Sequence, residues 1–361
     1  MLVLALSGTA FAYYEHLNGN IHRVDVFGHI TTPRPAPAPE GAENILVVGD
    51  DSRTGATPAE LAQENTTTDG GSDNTDTIMV LHLAANGGPA TLISFPRDSY
   101  VDIPGFGMDK LNAAYADGES ASRGNGPTEL TETVEQLSGL RIDHFISVGF
   151  AQFINISNAV GGVQVCISTS GGAHDAYSGT DLPRGVSTIS GSQALAFVRQ
   201  RHGLPQGDID RIGRQQRFLE AVEKKAKTVR NPSTVNAVLE KATRSLTVDE
   251  GLSGIALLQL ADRLESLPAS DIHYVTVPIS DIGATAYLHG ETEDVVDLDT
   301  GALPAFFAGI QSPAAVASPT VSASSPAIAS TSAAPTSAAP TAAPTSSSAS
   351  TTDVDGVPCG P

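Results

Sequence analysis

Short apolar runs that stop abruptly at polar turns alternate along this chain with longer stretches whose apolar residues recur every three or four positions. Asn44–Gly49 (Asn-Ile-Leu-Val-Val-Gly) has the first pattern, as do Thr77–Leu83, Ala90–Phe95, His144–Gly149 and Ile272–Val277. Each is predicted to be a buried strand. Asn86-Gly87-Gly88-Pro89 is a turn signal that joins the second and third as a hairpin. The longer period predicts helices at Gly126–Leu137, Phe150–Val160, Ser190–Phe197 and Asp208–Lys227, and near 232–244 and 250–265. Gly139 and Gly161-Gly162 supply stops for the first two. Strands interleaved with helices, with at least one hairpin, predict an α/β fold with a mixed central β-sheet flanked by helices on both sides.

The pattern lapses towards both ends. Residues 311–352 are almost entirely Ala, Ser, Pro and Thr, too poor in apolar bulk to offset the entropy of ordering, and are predicted to be a disordered tail ahead of a short Cys-containing end, 353–361. Residues 17–40 read as a juxtamembrane segment and Pro-rich spacer, with Thr-Thr-Pro-Arg-Pro-Ala-Pro-Ala-Pro-Glu at 31–40. One domain is expected between them, 41–310. Residues 1–16 open with the apolar run Met-Leu-Val-Leu-Ala-Leu, shorter than the roughly 20 residues a spanning helix needs. They read as a truncated membrane anchor. The alternative is a signal peptide, cleaved after the small-x-small triplet Ala10-Phe11-Ala12. Either reading sends the domain out of the cytoplasm, and the anchor makes it a single-pass protein of the cell membrane. The two cysteines, Cys166 and Cys359, permit one disulfide tying the chain's end to the domain; the alternative is that Cys166 is a plain core residue of Val163–Ile167.

Charge sharpens the picture. The net charge is -20, yet nine of the 20 Lys and Arg residues lie between Arg199 and Arg230, with Arg199, Arg201, Arg211 and Arg214 close together. Guanidinium forks grip phosphate oxygens in pairs, so arginine concentrated in an acidic protein points to a polyanion held locally; a solvated basic helix is the competing reading. Nucleic acid is excluded as a partner, because its binding needs a broad basic face. Acidic and basic residues also recur where strands end, in Gly49-Asp50-Asp51-Ser52-Arg53, Asp76-Thr77 and Pro96-Arg97-Asp98-Ser99-Tyr100. Ligands bind at such ends. Two carboxylates together with phosphate make a magnesium site, which pairs Asp51 with Asp76 as metal ligands, Mn²⁺ being the alternative ion; turn-capping aspartates are the competing reading. On the helix that follows, Asp208, Arg211 and Gln215 fall within about 60° of arc. Arginines facing a magnesium site fit a diphosphate.

The separate motifs together resemble the LytR–CpsA–Psr family of extracellular cell-wall enzymes, in particular its actinobacterial members. They are Ile45–Arg53, Asp76-Thr77-Ile78-Met79, Phe95–Tyr100, Lys110-Leu111-Asn112-Ala113-Ala114-Tyr115, Arg141-Ile142-Asp143-His144 and Arg199–Gln216. The resemblance implies a transferase that moves a glycopolymer from a polyprenyl-diphosphate carrier to peptidoglycan through a phosphodiester. Asp51 and Asp76 would be the Mg²⁺ ligands, and Arg97, Arg199, Arg201 and Arg211 the diphosphate clamp, supported by Asp208 and Gln215. Asp98 is the candidate for taking the acceptor hydroxyl's proton. Arg53, Lys110 and Arg214 are expected at the head group, and Phe150 and Phe153 either line a lipid pocket or pack the core. Two positions depart from the family's pattern: Asn74 stands where many members carry arginine, and Asp50 where a serine is common. Two other functions compete, a pyrophosphatase of the same carrier and a non-catalytic lipid-carrier-binding or regulatory wall protein.

Overall fold

The structure, a computed structural model, describes residues 15–16, 18–50, 75–120, 125–229, 231–312 and 359–360. Its centre is a mixed sheet built from β1 (His22–Val24), β2 (Glu43–Asp50), β3 (Thr75–Leu83), β4 (Ala90–Phe95), β5 (His144–Val148), β6 (Thr247–Asp249) and β7 (Ile272–Thr276). They lie in the order β1-β6-β5-β2-β3-β4-β7. β3 pairs antiparallel with β2 and β4, while β2 and β5 run parallel, as do β4 and β7. The β3–β4 connection is the expected hairpin, with Asn86 at φ 57. The helices are α1 (Ala113–Ser120), α2 (Gly126–Ser138), α3 (Phe150–Val160), α4 (Gly191–Arg199), α5 (Asp208–Ala226), α6 (Pro232–Ser245), α7 (Gly254–Ser266) and α8 (Leu303–Gln311).

Strand alternation divides the core between the two faces of the sheet. Leu46, Val48, Ile78, Val80, Ile93 and Phe95 point to one face and pack against Leu111, Leu130 and Val134, with Leu303 and Phe307 of α8. On the opposite face Ile45, Leu83 and Ala90 meet Leu257, Leu260 and Leu264 of α7. Beyond α7, on that same face, sit α3, α4 and α5. They share a cluster with the strand Val163–Ile167, whose members include Val160, Val165, Phe197 and Phe218. The sheet is therefore covered on both sides, as the interleaving predicts.

Residues 17–40, expected to be a spacer, belong in good part to this body. His22–Val24 pairs with β6 as a strand of the central sheet, Val26 is buried, and Arg34 donates to Glu135 of α2. A proline-rich sequence reads as an extended spacer, but the same extended backbone lays side chains along a neighbouring surface. The strand Cys359–Gly360 runs parallel to Val163–Ile167, with Cys359 opposite Cys166. Cys166 is disulfide-bonded, and Cys359 is the chain's other cysteine. Among the described residues no helix is long and apolar enough to cross a membrane. The stretch 1–14, most of the expected anchor, and the tail 313–358 lie outside the described residues.

Candidate active site

Antiparallel pairing puts the end of β2, the start of β3 and the end of β4 at one edge of the sheet. β5, parallel to β2, delivers the start of α3 to the same edge. Asp76 thus arrives on β3, the Pro96–Ser99 turn on β4 and Phe150 on α3. The turn is tight, with the Ser99 N–H donating to Pro96 O at 3.1 Å. Its carbonyls are tied in turn: Arg97 O accepts from Asn112, Asp98 O from Val296 and Ser99 O from Leu111. The Lys110–Tyr115 motif therefore supports the site through its backbone. The remaining side chains come from the junction of α4 and α5. Arg199 ends α4, and α5 starts after Gly207, whose φ of 51 and ψ of -107 suit a residue without a Cβ. Asp208 follows in the first helical turn, where the helix dipole favours an acid.

These elements bring together Asp76, Arg97, Asp98, Arg199, Arg201, Asp208 and Arg211. Arg97 donates to Asp76 Oδ1 in a short contact and lies 3.5 Å from Asp98 Oδ2 and 3.8 Å from Asp208 Oδ1. Arg201 spans Asp98 at 3.6 Å and Asp208 at 3.1 Å. Arg211, at 3% exposure, lies 3.0 Å from Asp208 and 3.6 Å from Asp76 Oδ1, and donates to the Asp76 carbonyl at 3.1 Å. Gln215, one turn on, donates to Thr77 Oγ1 at 2.9 Å. Burial alone would raise Asp76, but Arg211, Arg97 and Arg199 outweigh it and hold the carboxyl below its usual range. Burial alone would lower Arg97, yet Asp76, Asp98 and Asp208 keep it firmly protonated. The Nε groups of Arg97 and Arg211 are buried without a hydrogen-bond acceptor among the described residues. Asp208 Oδ1 is likewise buried without a hydrogen bond among the described residues, and the Arg97 Nε faces Asp98 and Asp208 only as an ion pair. The cluster therefore leaves both donors and an acceptor that it does not close internally.

Behind the cluster lies an apolar cavity of about 240 Å³. Val47 and Met79 of the sheet, Phe150 and Phe153 of α3, Leu195 of α4 and Phe218 of α5 are among its walls, and Asp76, Arg199, Arg211 and Gln215 reach it too. The Arg199 guanidinium lies over the Phe150 ring at 4.4 Å, a cation–π contact at the point where the cavity meets the charges.

Two residues expected at the head group are turned elsewhere. Lys110 spends its ammonium on Glu293, 2.8 Å away in the hairpin formed by Ile279–Leu288 and Glu291–Leu298. Arg214 is one of the most buried side chains. It sits over Phe197 and donates to Gln200 Oε1 at 2.6 Å, with burial lowering its pKa to about 10. The physical reason is helical phase: on α5, Arg214 is rotated about 100° from Gln215 and about 120° from Asp208. Gln200 Nε2 in turn donates to His202 O at 3.0 Å, so Arg214 braces the loop that carries Arg201. Asp50 is buried and accepts from Ser147. Asp51, Arg53 and Asn74 lie outside the described residues. Among the described residues no group of three or more His, Cys, Asp or Glu side chains is placed to hold a metal ion.

The family model LytR_cpsA_psr matches residues 3–301. The cell wall biosynthesis protein LcpA of Corynebacterium glutamicum is 33% identical over 333 residues, covering 85% of this chain and 63% of that protein. A polyisoprenyl-teichoic acid–peptidoglycan teichoic acid transferase, TagU of Oceanobacillus iheyensis, is 32% identical over 208 residues, covering 58% of this chain and 59% of its own. The chain thus spans less than two thirds of the length of either relative. Among solved structures, the LytR-Csp2A-Psr enzyme from Actinomyces oris superposes with a TM-score of 0.61 at 20% identity, covering 82% of this chain and 97% of that one. At that identity the likeness establishes the fold.

Proposed function

This chain belongs to the LytR–CpsA–Psr family, and from that premise we propose that it is a phosphotransferase. It takes a glycopolymer from a polyprenyl-diphosphate carrier and attaches it to peptidoglycan by a phosphodiester bond. The observation that carries the reading is the junction of an arginine cluster with an apolar cavity, across Arg199, Arg211 and Phe150. An amphiphile with a diphosphate head and a hydrocarbon tail is the ligand class that satisfies both halves. Its head would take the spare donors of Arg97 and Arg211, and its tail the cavity between α3 and α5. One relative is, by its name, a transferase of teichoic acid from polyisoprenyl-teichoic acid to peptidoglycan.

In the proposed reaction an acceptor sugar hydroxyl attacks the sugar-bearing phosphorus. The new O–P bond forms as the bond to the bridging oxygen breaks, and polyprenyl phosphate leaves with the electron pair. Asp98, held between Arg97 and Arg201, would take the hydroxyl's proton and pass it to solvent. Arg199 and Arg211 would neutralise the charge that accumulates on the leaving phosphate. Asp76 has the hard oxygen donors that Mg²⁺ or Mn²⁺ prefers, and with Asp51 it would hold the ion. When bound, the ion supplies further charge neutralisation at the phosphate oxygens. The carrier and acceptor put the proposed reaction at the outer face of the cell membrane.

Labelled polyprenyl-diphosphate-linked polymer, incubated with the full chain, peptidoglycan and magnesium, tests the proposal. Label appearing on peptidoglycan is the expected result, and Arg199→Ala or Arg201→Ala should each remove most of it. Label released free would make the protein a hydrolase, for which the 41% exposure of Arg201 leaves water a route. Full transfer by both variants would overturn the clamp.

A further inference from the structure

The charged cluster has a dry side and a wet side. Arg199 and Arg211 adjoin the apolar cavity, whereas Arg201, at 41% exposure, looks outwards. If the tail of the ligand occupies the dry side, whatever is attached to the far phosphate must leave on the side of Arg201. The next residue there is His202.

His202 does not stand alone. Its ring stacks on Tyr177, with centroids 4.1 Å apart and planes inclined by 29°. Tyr177 sits at the tip between the short strands Ala173–Asp175 and Thr180–Leu182. Tyr177 is 75% exposed and the His202 side chain 61%. Single exposed aromatic residues are ordinary. Here two of them, from different elements, are held together by buried groups. Asp175, only 6% exposed, accepts the Tyr177 N–H at 2.9 Å and lies 3.6 Å from His202 Nδ1. Burial would raise Asp175, but the Tyr177 N–H, the Ser178 hydroxyl, His202 and the Arg201 N–H keep it below the usual carboxylate range. The tip is anchored to α4 as well, since Thr180 Oγ1 donates to Ala196 O at 2.9 Å. From beneath, Arg214 and Gln200 brace the His202 carbonyl. The result is a fixed aromatic face turned to solvent, one residue from the arginine on the wet side.

A pyranose ring is the ligand that such a face recognises. Its axial C–H groups form an apolar patch of slight positive charge, complementary to the negative face of an aromatic ring, while its hydroxyls stay in water. We propose that Tyr177 and His202 form a sugar-stacking platform that holds a pyranose ring beside the phosphate to which it is joined or about to be joined. This deepens the diphosphate reading of the cluster and rests on it for the ring's place in the reaction. The ring belongs either to the donor polymer or to the acceptor.

Binding to the full-length wild type, Tyr177→Ala and Tyr177→Phe is compared by calorimetry. Three probes are used: sugar-free polyprenyl diphosphate, the same lipid carrying a disaccharide, and soluble peptidoglycan oligosaccharides. Tyr177→Ala should weaken one sugar-bearing probe about tenfold, the effect of uncovering one ring face, with affinity for the sugar-free lipid retained. Tyr177→Phe should restore the loss, since the ring face and not the hydroxyl makes the contact. Loss on the lipid-linked disaccharide assigns the platform to the donor, and loss on the oligosaccharides assigns it to the acceptor. Equal values for wild type and Tyr177→Ala with both sugar-bearing probes, measurable or absent, overturn the platform. If wild type ignores the sugar-free lipid while Tyr177→Ala still loses the oligosaccharides, the diphosphate reading falls and the platform stands.

Discussion

Replacing Asp208 by asparagine separates holding the arginines from holding the ligand. Asp208 Oδ1 lies 3.1 Å from Arg201 and 3.0 Å from Arg211, with Arg97 further off at 3.8 Å. Asparagine keeps the shape and one acceptor oxygen but removes the charge. The Oδ1 contacts are ion pairs without hydrogen-bond geometry, and the hydrogen bond runs from Arg211 to Oδ2 at 3.2 Å. A hydrogen bond between charged groups contributes about 1.5–3 kcal/mol and a neutral one about 0.5–1.5, so that contact should lose about 1 kcal/mol. The Arg201 contact is discounted, because that side chain is 41% exposed and water screens it. The expected cost is about 1–2 kcal/mol, a fall in melting temperature of several degrees. Binding should move the other way. The described cluster carries four guanidinium groups against Asp76, Asp98 and Asp208, so Asp208→Asn raises its net charge from +1 to +2. Affinity for a polyprenyl diphosphate should hold or rise. Turnover should fall about tenfold or more, because Arg201 and Arg211 lose the anchor that sets their angle, and about 1.4 kcal/mol of lost transition-state contact is a factor of ten. Calorimetry with the lipid, thermal unfolding and single-turnover transfer read the three effects. Weakened binding with unchanged turnover would refute the reasoning, because it would make Asp208 a ligand contact and not an anchor for the arginines.

Other perturbations test other parts. Phe153→Trp, which adds bulk to the cavity wall beside Phe218, should weaken long-chain polyprenyl diphosphates several-fold while inorganic diphosphate binds as before. The side-chain hydrogen bond to Asp249 raises His144 above its ordinary value of 6.5 against the opposing effect of burial. The stability this pair contributes is complete below pH 6.5 and fades as pH rises through the folded value. The unfolding midpoint should therefore decline as pH rises above 6.5, and His144→Asn should flatten that slope. Cys166, being disulfide-bonded, should make the melting temperature sensitive to dithiothreitol. Cys166→Ser should lower it by a similar amount and abolish the sensitivity, with a loss of up to about 5 kcal/mol if unfolded-chain entropy dominates.

The central strands were legible because their apolar runs are long for their type and bounded by turn residues. Ala90–Phe95 and Phe150–Val160 begin and end where the pattern puts them. The hairpin of Ile279–Leu288 and Glu291–Leu298 was not legible: most of its first strand is exposed, so no buried face imposes an alternation of apolar and polar residues. His22–Val24 and Thr247–Asp249 are three residues each, too short for a period, and they are strands because the sheet edge offers them partners. At the site, the arginine-rich segment announced its charge but not its division of labour. Arg211 and Arg214 look alike in sequence, and only helical phase sends one to the carboxylates and the other beneath the loop. Gln216, the last residue of that segment, donates to Ser94 Oγ at 3.0 Å and ties α5 to the sheet, a structural role that the segment's charge does not announce. The repeated glutamine after Arg214 was the available signal.

The interleaving of acids with arginines follows from what the site must do before any ligand arrives. Guanidinium groups crowded at one sheet edge repel one another, and burial penalises each; Arg211, at 3% exposure, is lowered by burial first and by Arg97 and Arg201 besides, with Asp208 and Asp76 opposing. Left unpaired, such groups would turn outwards to water and the clamp would have to be assembled at the moment of binding. Asp76, Asp98 and Asp208 prevent this by standing where anionic oxygen is needed, so the cations are already aimed when an anion enters. That arrangement has a cost in affinity, since the ligand's oxygens must share or displace carboxylate contacts. It has a gain in rate, because fixed dipoles and charges need no reorganisation in the transition state. On the proposed function, a protein of net charge -20 would take a diphosphate where four guanidinium groups face three carboxylates, and the Nε groups of Arg97 and Arg211 would be among its donors.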